Sequence, residues 1–244
     1  VILRIDTAAL LVRSVPYGEA DVIATFFTRE AGKLSAIVRG ARRSQRRFGG
    51  ALEPIHELFV SIEDKGKELC VLKEARIGRP RTATVSSLEA MVAAGQALRW
   101  IRHLCPARTP EPAAWRSLEE LLDALERLPG EAGDGVAAGA RQHLAIFGLR
   151  LLADMGYALE LERCIRCGRP CPEGRAAFVD AERGGIVCTA CGGARRTIGG
   201  ELRALAARAQ RGTVVGLSWE QGGEIVDIVE EAMAVHADFD PSGA

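Results

Sequence analysis

The chain has 244 residues, 32 of them basic and 32 acidic, so it is formally neutral. Nearly half of it is apolar, enough to build two domains or one large one, and no eighteen-residue stretch is free of charge, which leaves no candidate for a spanning helix. Seven cysteines, five of them clustered, follow an N-terminus that does not read as a secretion signal, and so point to metal before disulfides and to a cytoplasmic setting.

Residues 8 to 79 read as an all-β module. Ala8 to Val15 is a first apolar run, broken by Pro16-Tyr17-Gly18-Glu19, and Asp21 to Thr28 is a second, rich in β-branched and aromatic residues. Arg29-Glu30-Ala31-Gly32 has the form of a hairpin loop with a late glycine. His56 to Ile62 and Glu68 to Ile77 make another pair across Glu63-Asp64-Lys65-Gly66-Lys67. Five strands with one long central loop predict a small barrel. An OB-fold is the natural reading because its faces and loops bind oligonucleotides; an SH3-like barrel also has five strands, and the sequence does not separate the two.

The stretch Gly32 to Gly50 carries Lys33, Arg39, Arg42, Arg43, Arg46 and Arg47 and no acid. Its first half alternates like a strand, with Leu34, Ala36 and Val38 on one face and Lys33, Ser35, Ile37 and Arg39 on the other. Its second half has no apolar period and reads as a basic loop ending at Phe48. Guanidinium forks match phosphates, and an aromatic ring gives an unpaired base a stacking face. A basic run is often only solvated surface. Here the chain is neutral overall, and residues 199 to 244 hold eight acids against three arginines, so charge is segregated as in a protein with one face for a polyanion. These six cations and Phe48 are the candidate nucleic-acid-binding residues.

Beyond Pro80 the period becomes helical. Ser86 with Glu89 fits a capping box, followed by Leu88, Met91, Val92, Leu98 and Ile101 as an inward face to about Cys105. A second helix is predicted from Pro112 to Leu128 with Trp115, Leu118, Leu121, Leu122 and Leu125 inward, and a third from Val136 to Met155 with Leu144, Phe147, Leu151 and Leu152 inward. Two more, Gly200–Gln210 and Ser218–Val235, complete a bundle.

Between them lie Cys164-Ile-Arg-Cys167-Gly168 and Cys188-Thr-Ala-Cys191-Gly192, twenty residues apart. Two residues between thiolates let both sulfurs face one ion, and two such knuckles close a tetrahedral Zn²⁺ site. A redox Cys-x-x-Cys is the competing reading, disfavoured by the matched pairs and the lack of a βαβ context. With Cys164, Cys167, Cys188 and Cys191 all bound, no coordination position is free, so the zinc is structural. Cys171 is surplus, and Cys70 and Cys105 fall on apolar stretches. Arg163, Arg166, Arg169, Arg195 and Arg196 add nucleic-acid contact as a second reading of this segment.

The expected architecture is therefore α+β and multidomain: an OB-fold β-barrel at 1–80, a helical bundle at 81–160 and 199–244, and a zinc-ribbon-like four-cysteine segment at 161–198. No Walker A loop, Rossmann glycine pattern, His-Glu-x-x-His or deaminase signature occurs, which favours binding over catalysis. The rival classes are a zinc-ribbon scaffold for protein contact and a nucleic-acid enzyme with no legible motif.

Four stretches carry a resemblance: Pro16-Tyr17-Gly18-Glu19-Ala20-Asp21; Phe27 to Leu34; Arg39-Gly40-Ala41-Arg42-Arg43; and Arg47 to Pro54. With the Cys-x-x-Cys-Gly pairs, and Phe178 and Gly184-Gly185 between them, the chain resembles the bacterial RecO family of recombination mediators. The resemblance implies an N-terminal OB-fold, a helical domain and a structural zinc. It further implies binding of single- and double-stranded DNA and ATP-independent strand annealing. The implied partners are RecR, single-strand-binding protein and RecF, acting in RecA loading on the nucleoid in the cytoplasm.

Overall fold

A computed structural model describes residues 2–41, 52–128 and 134–236. Five strands, β1 Leu3–Tyr17, β2 Asp21–Thr28, β3 Gly32–Val38, β4 Glu57–Asp64 and β5 Cys70–Arg79, close in the order β1-β2-β3-β5-β4. That order, with β3 and β5 parallel and all other pairs antiparallel, is a five-stranded Greek-key OB barrel and decides against the SH3-like alternative. β1 is longer than the predicted Ala8–Val15 run. Its first half pairs with β4 and its second half with β2, through a bulge between Leu11 and Arg13. Arg4 and Asp6 carry no apolar strand signal, but they lie on the solvent face, where polar residues alternate with inward ones. Pro16 does not break the strand either; it pairs with Val22 near the strand's end.

Alternation in β3 is as expected: Leu34, Ala36 and Val38 are buried with Phe26, Val60 and Ile62 in the barrel core, and Lys33, Ser35 and Ile37 face outward. Gly32 opens β3 with φ +69°, and a Cβ there would lie 2.1 Å from the Thr109 carbonyl oxygen, so only glycine fits.

Three helices follow in the same compact unit: α1 Thr82–Ser86, α2 Leu88–Leu104 and α3 Pro112–Glu126. Trp115 of α3 packs on Phe27, an outward position of β2, with ring centroids 5.6 Å apart, and Arg29 reaches Glu119 at 2.7 Å. Two expectations for α2 are corrected. Its N-cap is Ser87, whose hydroxyl accepts from the Ala90 N–H at 3.3 Å, while Ser86 closes α1 by donating to the Thr82 carbonyl. Leu88, Met91 and Val92 are exposed by 65, 40 and 57 %, and Ala90, Ala93, Ala94 and Ala97 are buried instead. Leu98 and Ile101 are buried as expected, with Trp100; in the first turns, where periodicity alone cannot tell a stripe of large side chains from an alanine face, the alanines form the buried face.

The second unit, Glu131–Ala244, contains α4 Asp134–Asp154, a three-stranded sheet, α5 Gly200–Gln210 and α6 Trp219–His236. The sheet has the order β7-β6-β8, from β6 Ala177–Asp180, β7 Gly185–Val187 and β8 Arg196–Ile198. α6 packs along α4, burying Ile225, Ile228, Val229 and Met233, and Gln142 of α4 accepts from the Leu217 N–H at 2.9 Å. By contacts α1 to α3 group with the barrel, and α4 to α6 with the cysteine segment. No helix among the described residues is long and apolar enough to cross a membrane.

Candidate nucleic-acid interface and metal centre

β3 delivers two of the candidate DNA-binding residues to different surroundings. Lys33 is half-buried, and its ammonium donates to the main-chain carbonyl of Arg102 in the last turn of α2. Burial lowers the Lys33 pKa, and the nearby Arg102 charge adds to that. Arg39, one residue past the end of β3, is exposed, and no described carboxylate forms an ion pair with it. The turn it starts is tied down by the Gly40 N–H, which donates to Asp21 Oδ1 at 2.8 Å. Arg42, Arg43, Arg46, Arg47 and Phe48 lie outside the described residues.

Around Arg39 is a cleft of about 240 Å³, also lined by Lys65, Val71, Leu72 and Lys73. Parallel pairing of Ile37 with Val71 places the β4–β5 turn beside the end of β3. Lys65 and Lys73 share Glu63 at 3.0 and 2.6 Å, and these two lysines hold the Glu63 carboxyl below its ordinary pKa. With one carboxylate against three cations the cleft stays positive. Sequence reasoning places Lys65 in a turn and does not single out Lys73. No local signal marks either, since both reach Arg39 through barrel closure.

The second site is assembled from two knuckles. In the first, the Gly168 N–H donates to the Cys164 carbonyl at 2.8 Å, with Gly168 at φ +71°. In the second, the Cys191 and Gly193 N–H groups converge on the Cys188 carbonyl at 3.0 and 3.2 Å. Gly184 and Gly185 make the approach possible: Gly184 has φ +81°, and a Cβ on Gly185 would meet the Glu160 carbonyl oxygen at 2.5 Å. The Ile165 N–H then bonds to the Ile186 carbonyl at 2.9 Å, tying the first knuckle to β7 just ahead of Cys188.

The sulfurs of Cys164, Cys167, Cys188 and Cys191 all lie within 4.8 Å of one another, and those of Cys167 and Cys188 are 3.7 Å apart. A tetrahedron with Zn–S bonds of about 2.3 Å has edges of about 3.8 Å, so the donor set fits zinc in type, number and spacing. Main-chain N–H groups, Cys188's first at 3.3 Å, hold the Cys164 thiol down to about 6, whereas hydrogen bonds to Cys188 and Cys167 push Cys191 up to about 12. Cys171 is outside the four. Of the neighbouring arginines, Arg166 donates to the Cys191 carbonyl at 2.8 Å, and Arg196 pairs with Asp227 and Glu231 of α6.

Two family profiles match the chain: "Recombination protein O N terminal" over residues 3–81 and "Recombination protein O C terminal" over residues 85–241. Proteins named "DNA repair protein RecO" are similar over most of its length. That of Anaeromyxobacter sp. (strain K) is 35% identical over 233 residues, 95% of this chain and 84% of the relative. That of Myxococcus xanthus (strain DK1622) is 37% identical over 189 residues, 78% and 73% respectively. That of Rubrobacter xylanophilus is 35% identical over 183 residues, 75% and 69%.

Proposed function

We propose, on the premise that this chain belongs to the RecO family of DNA repair proteins, that it is a non-catalytic recombination mediator. It binds single- and double-stranded DNA, anneals complementary strands without ATP and, with RecR, helps load RecA onto strands coated by single-strand-binding protein, with RecF as a further partner. One observation carries the reading: an OB barrel ends β3 in an exposed Arg39, beside Lys65 and Lys73, where the arginine-rich run begins. Lys33, Arg39, Arg42, Arg43, Arg46, Arg47 and Phe48 are the proposed contacts. Phosphate contacts of this kind give affinity without sequence preference. Annealing needs charge neutralisation and exposed bases, not a nucleophile.

The four cysteines are proposed to hold one Zn²⁺. With all positions taken by thiolate, the ion supplies folding free energy to a segment with little core of its own, and no activated water. The proposed setting is the cytoplasm, at the nucleoid.

Filter binding tests the reading with single-stranded, duplex and complementary oligonucleotides. Retention of the first two, and faster duplex formation without ATP, are expected. Failure to retain any of them would leave the protein-scaffold alternative standing.

A further inference from the structure

A second group of basic residues, of which the sequence singles out only Lys33, lies on the barrel about 20 Å from Arg39, six residues back along β3 at about 3.3 Å each. It comprises Lys33 of β3, Arg13 of β1, and Arg99 and Arg102 from the last turns of α2, with the His103 imidazole beside them. Lys33 donates to the Arg102 carbonyl, and an Arg102 Nη donates to His103 Nε2 at 2.8 Å, so the imidazole accepts and is neutral. Burial lowers the His103 pKa, and the charges of Arg102, Lys33, Arg99 and Arg13 lower it further. Burial and then Arg13 and Arg99 lower even the Arg102 pKa.

Part of this is ordinary helix chemistry. Cations in a last turn offset the negative end of the helix dipole, which accounts for Arg102 and the bond from Lys33. It does not account for Arg13, which is exposed and comes from the barrel. Nor does it explain why the Arg13 charge meets that of Arg102, whose pKa it lowers.

The ground between the two groups is not charged. Strand register sets Val15, Ile23 and Ile37 side by side across β1, β2 and β3, and β5 adds Val71. All four are exposed or half-buried on the outer face, with Tyr17 exposed one step along β1. A row of apolar side chains and one aromatic, between two cationic rims, matches a strand whose bases lie on the sheet and whose phosphates meet the edges.

We propose that Arg13, Lys33 and Arg102 form a second phosphate seat, at which a single DNA strand crossing the outer face of β1–β2–β3 from Arg39 is held. The seat rests on the DNA-binding reading above and extends it to the end of α2, beyond the barrel itself. Its effect is to fix the direction of a strand that the arginine run alone holds at one end.

The test is the salt dependence of binding of a fluorescent single strand of about 16 nucleotides, the upper site size for one OB barrel. The full chain is compared with Arg13→Gln, Arg13→Gln/Arg102→Gln and Arg13→Lys/Arg102→Lys. Each lost single-strand phosphate contact removes about 0.7 from the log–log slope. The slope should shrink by about 0.7 in Arg13→Gln and about 1.4 in the double glutamine variant, and the lysine pair should keep it. Arg13 is exposed, so the single variant reads out even if the double variant misfolds, which circular dichroism would show. An unchanged slope in Arg13→Gln overturns the seat and leaves the reading at Arg39 intact. A wild-type chain that does not bind the strand overturns both.

Discussion

Arg203, only 3 % exposed, donates to the main-chain carbonyl of Pro172 at 2.6 Å, and its other donors go to the carbonyls of Leu161, Cys171 and Arg175. One guanidinium on α5 thus collects four oxygens of the loop that brings the first knuckle into place. The segment has few apolar residues to bury, and this bond set takes over part of that role.

Removing it should be costly. Arg203→Met keeps the volume and removes the partner of the buried Leu161 carbonyl and of three part-buried ones; an unpaired buried carbonyl costs about 1–3 kcal/mol. A loss on the order of 3 kcal/mol in unfolding free energy is expected from urea denaturation. A loss under about 1 kcal/mol would mean that water reaches those carbonyls.

Metal content should follow the four sulfurs and ignore the fifth. Purified wild-type protein is expected to carry one zinc per chain by plasma emission, Cys171→Ser likewise, and Cys164→Ser/Cys167→Ser none. The double variant should also lose solubility, while the barrel unit stays folded and binds DNA. Full zinc in that variant would refute the ligand set.

If roughly five phosphates are neutralised, single-strand affinity should fall with a log–log salt slope near −3.5, about a hundredfold for a fourfold rise in salt. Reversing the charges of Arg39, Arg42, Arg43, Arg46 and Arg47 should abolish most of that slope. The same slope in the reversed protein would place the primary surface elsewhere.

Gly32→Ala combines a φ of +69° with a Cβ 2.1 Å from the Thr109 oxygen, so β3 and the segment after α2 must part. About 2–4 kcal/mol of destabilisation is expected. Gly18→Ala, at φ +60° with nothing within 4 Å, isolates the backbone share and should cost only about 1–2 kcal/mol.

Acid should weaken the seam between α1 and α3. Burial pushes the Asp123 carboxyl up, but Arg81 at 2.5 Å and Arg79 outweigh it, and the folded pKa lies below the ordinary value. A depressed folded pKa gives stability that is present above the unfolded value, about 3.9, and is lost as pH falls through the folded one. Asp123→Asn should therefore be less stable than wild type at pH 7, and the gap should narrow below about pH 4. A gap independent of pH would show that the ion pair contributes nothing.

Some of this was legible in the residues themselves. Two Cys-x-x-Cys-Gly pairs specify a four-sulfur site because the constraint is local: two intervening residues and a glycine are enough to turn each knuckle. The inward face of β3 is equally local, since a period of two leaves Leu34, Ala36 and Val38 on one side. The family resemblance is local too: it is carried by Pro16–Asp21, Phe27–Leu34, Arg39–Arg43 and Arg47–Pro54, with the cysteine pairs.

Partners distant in sequence needed the fold. Lys73 joins Arg39, and Arg13 joins Arg102, because the barrel closes through a parallel β3–β5 pair and α2 ends over β1 and β3. The face that α2 buries is hidden from the sequence for the same reason. In its first turns, alanines that carry no signal in a hydrophobicity pattern form the surface on which that helix packs, which leaves Leu88 and Val92 in water, while Leu98 and Ile101 are buried farther along. Local chemistry thus determined which groups this protein owns, and chain closure over long separations decided which of them stand together to make a charged surface.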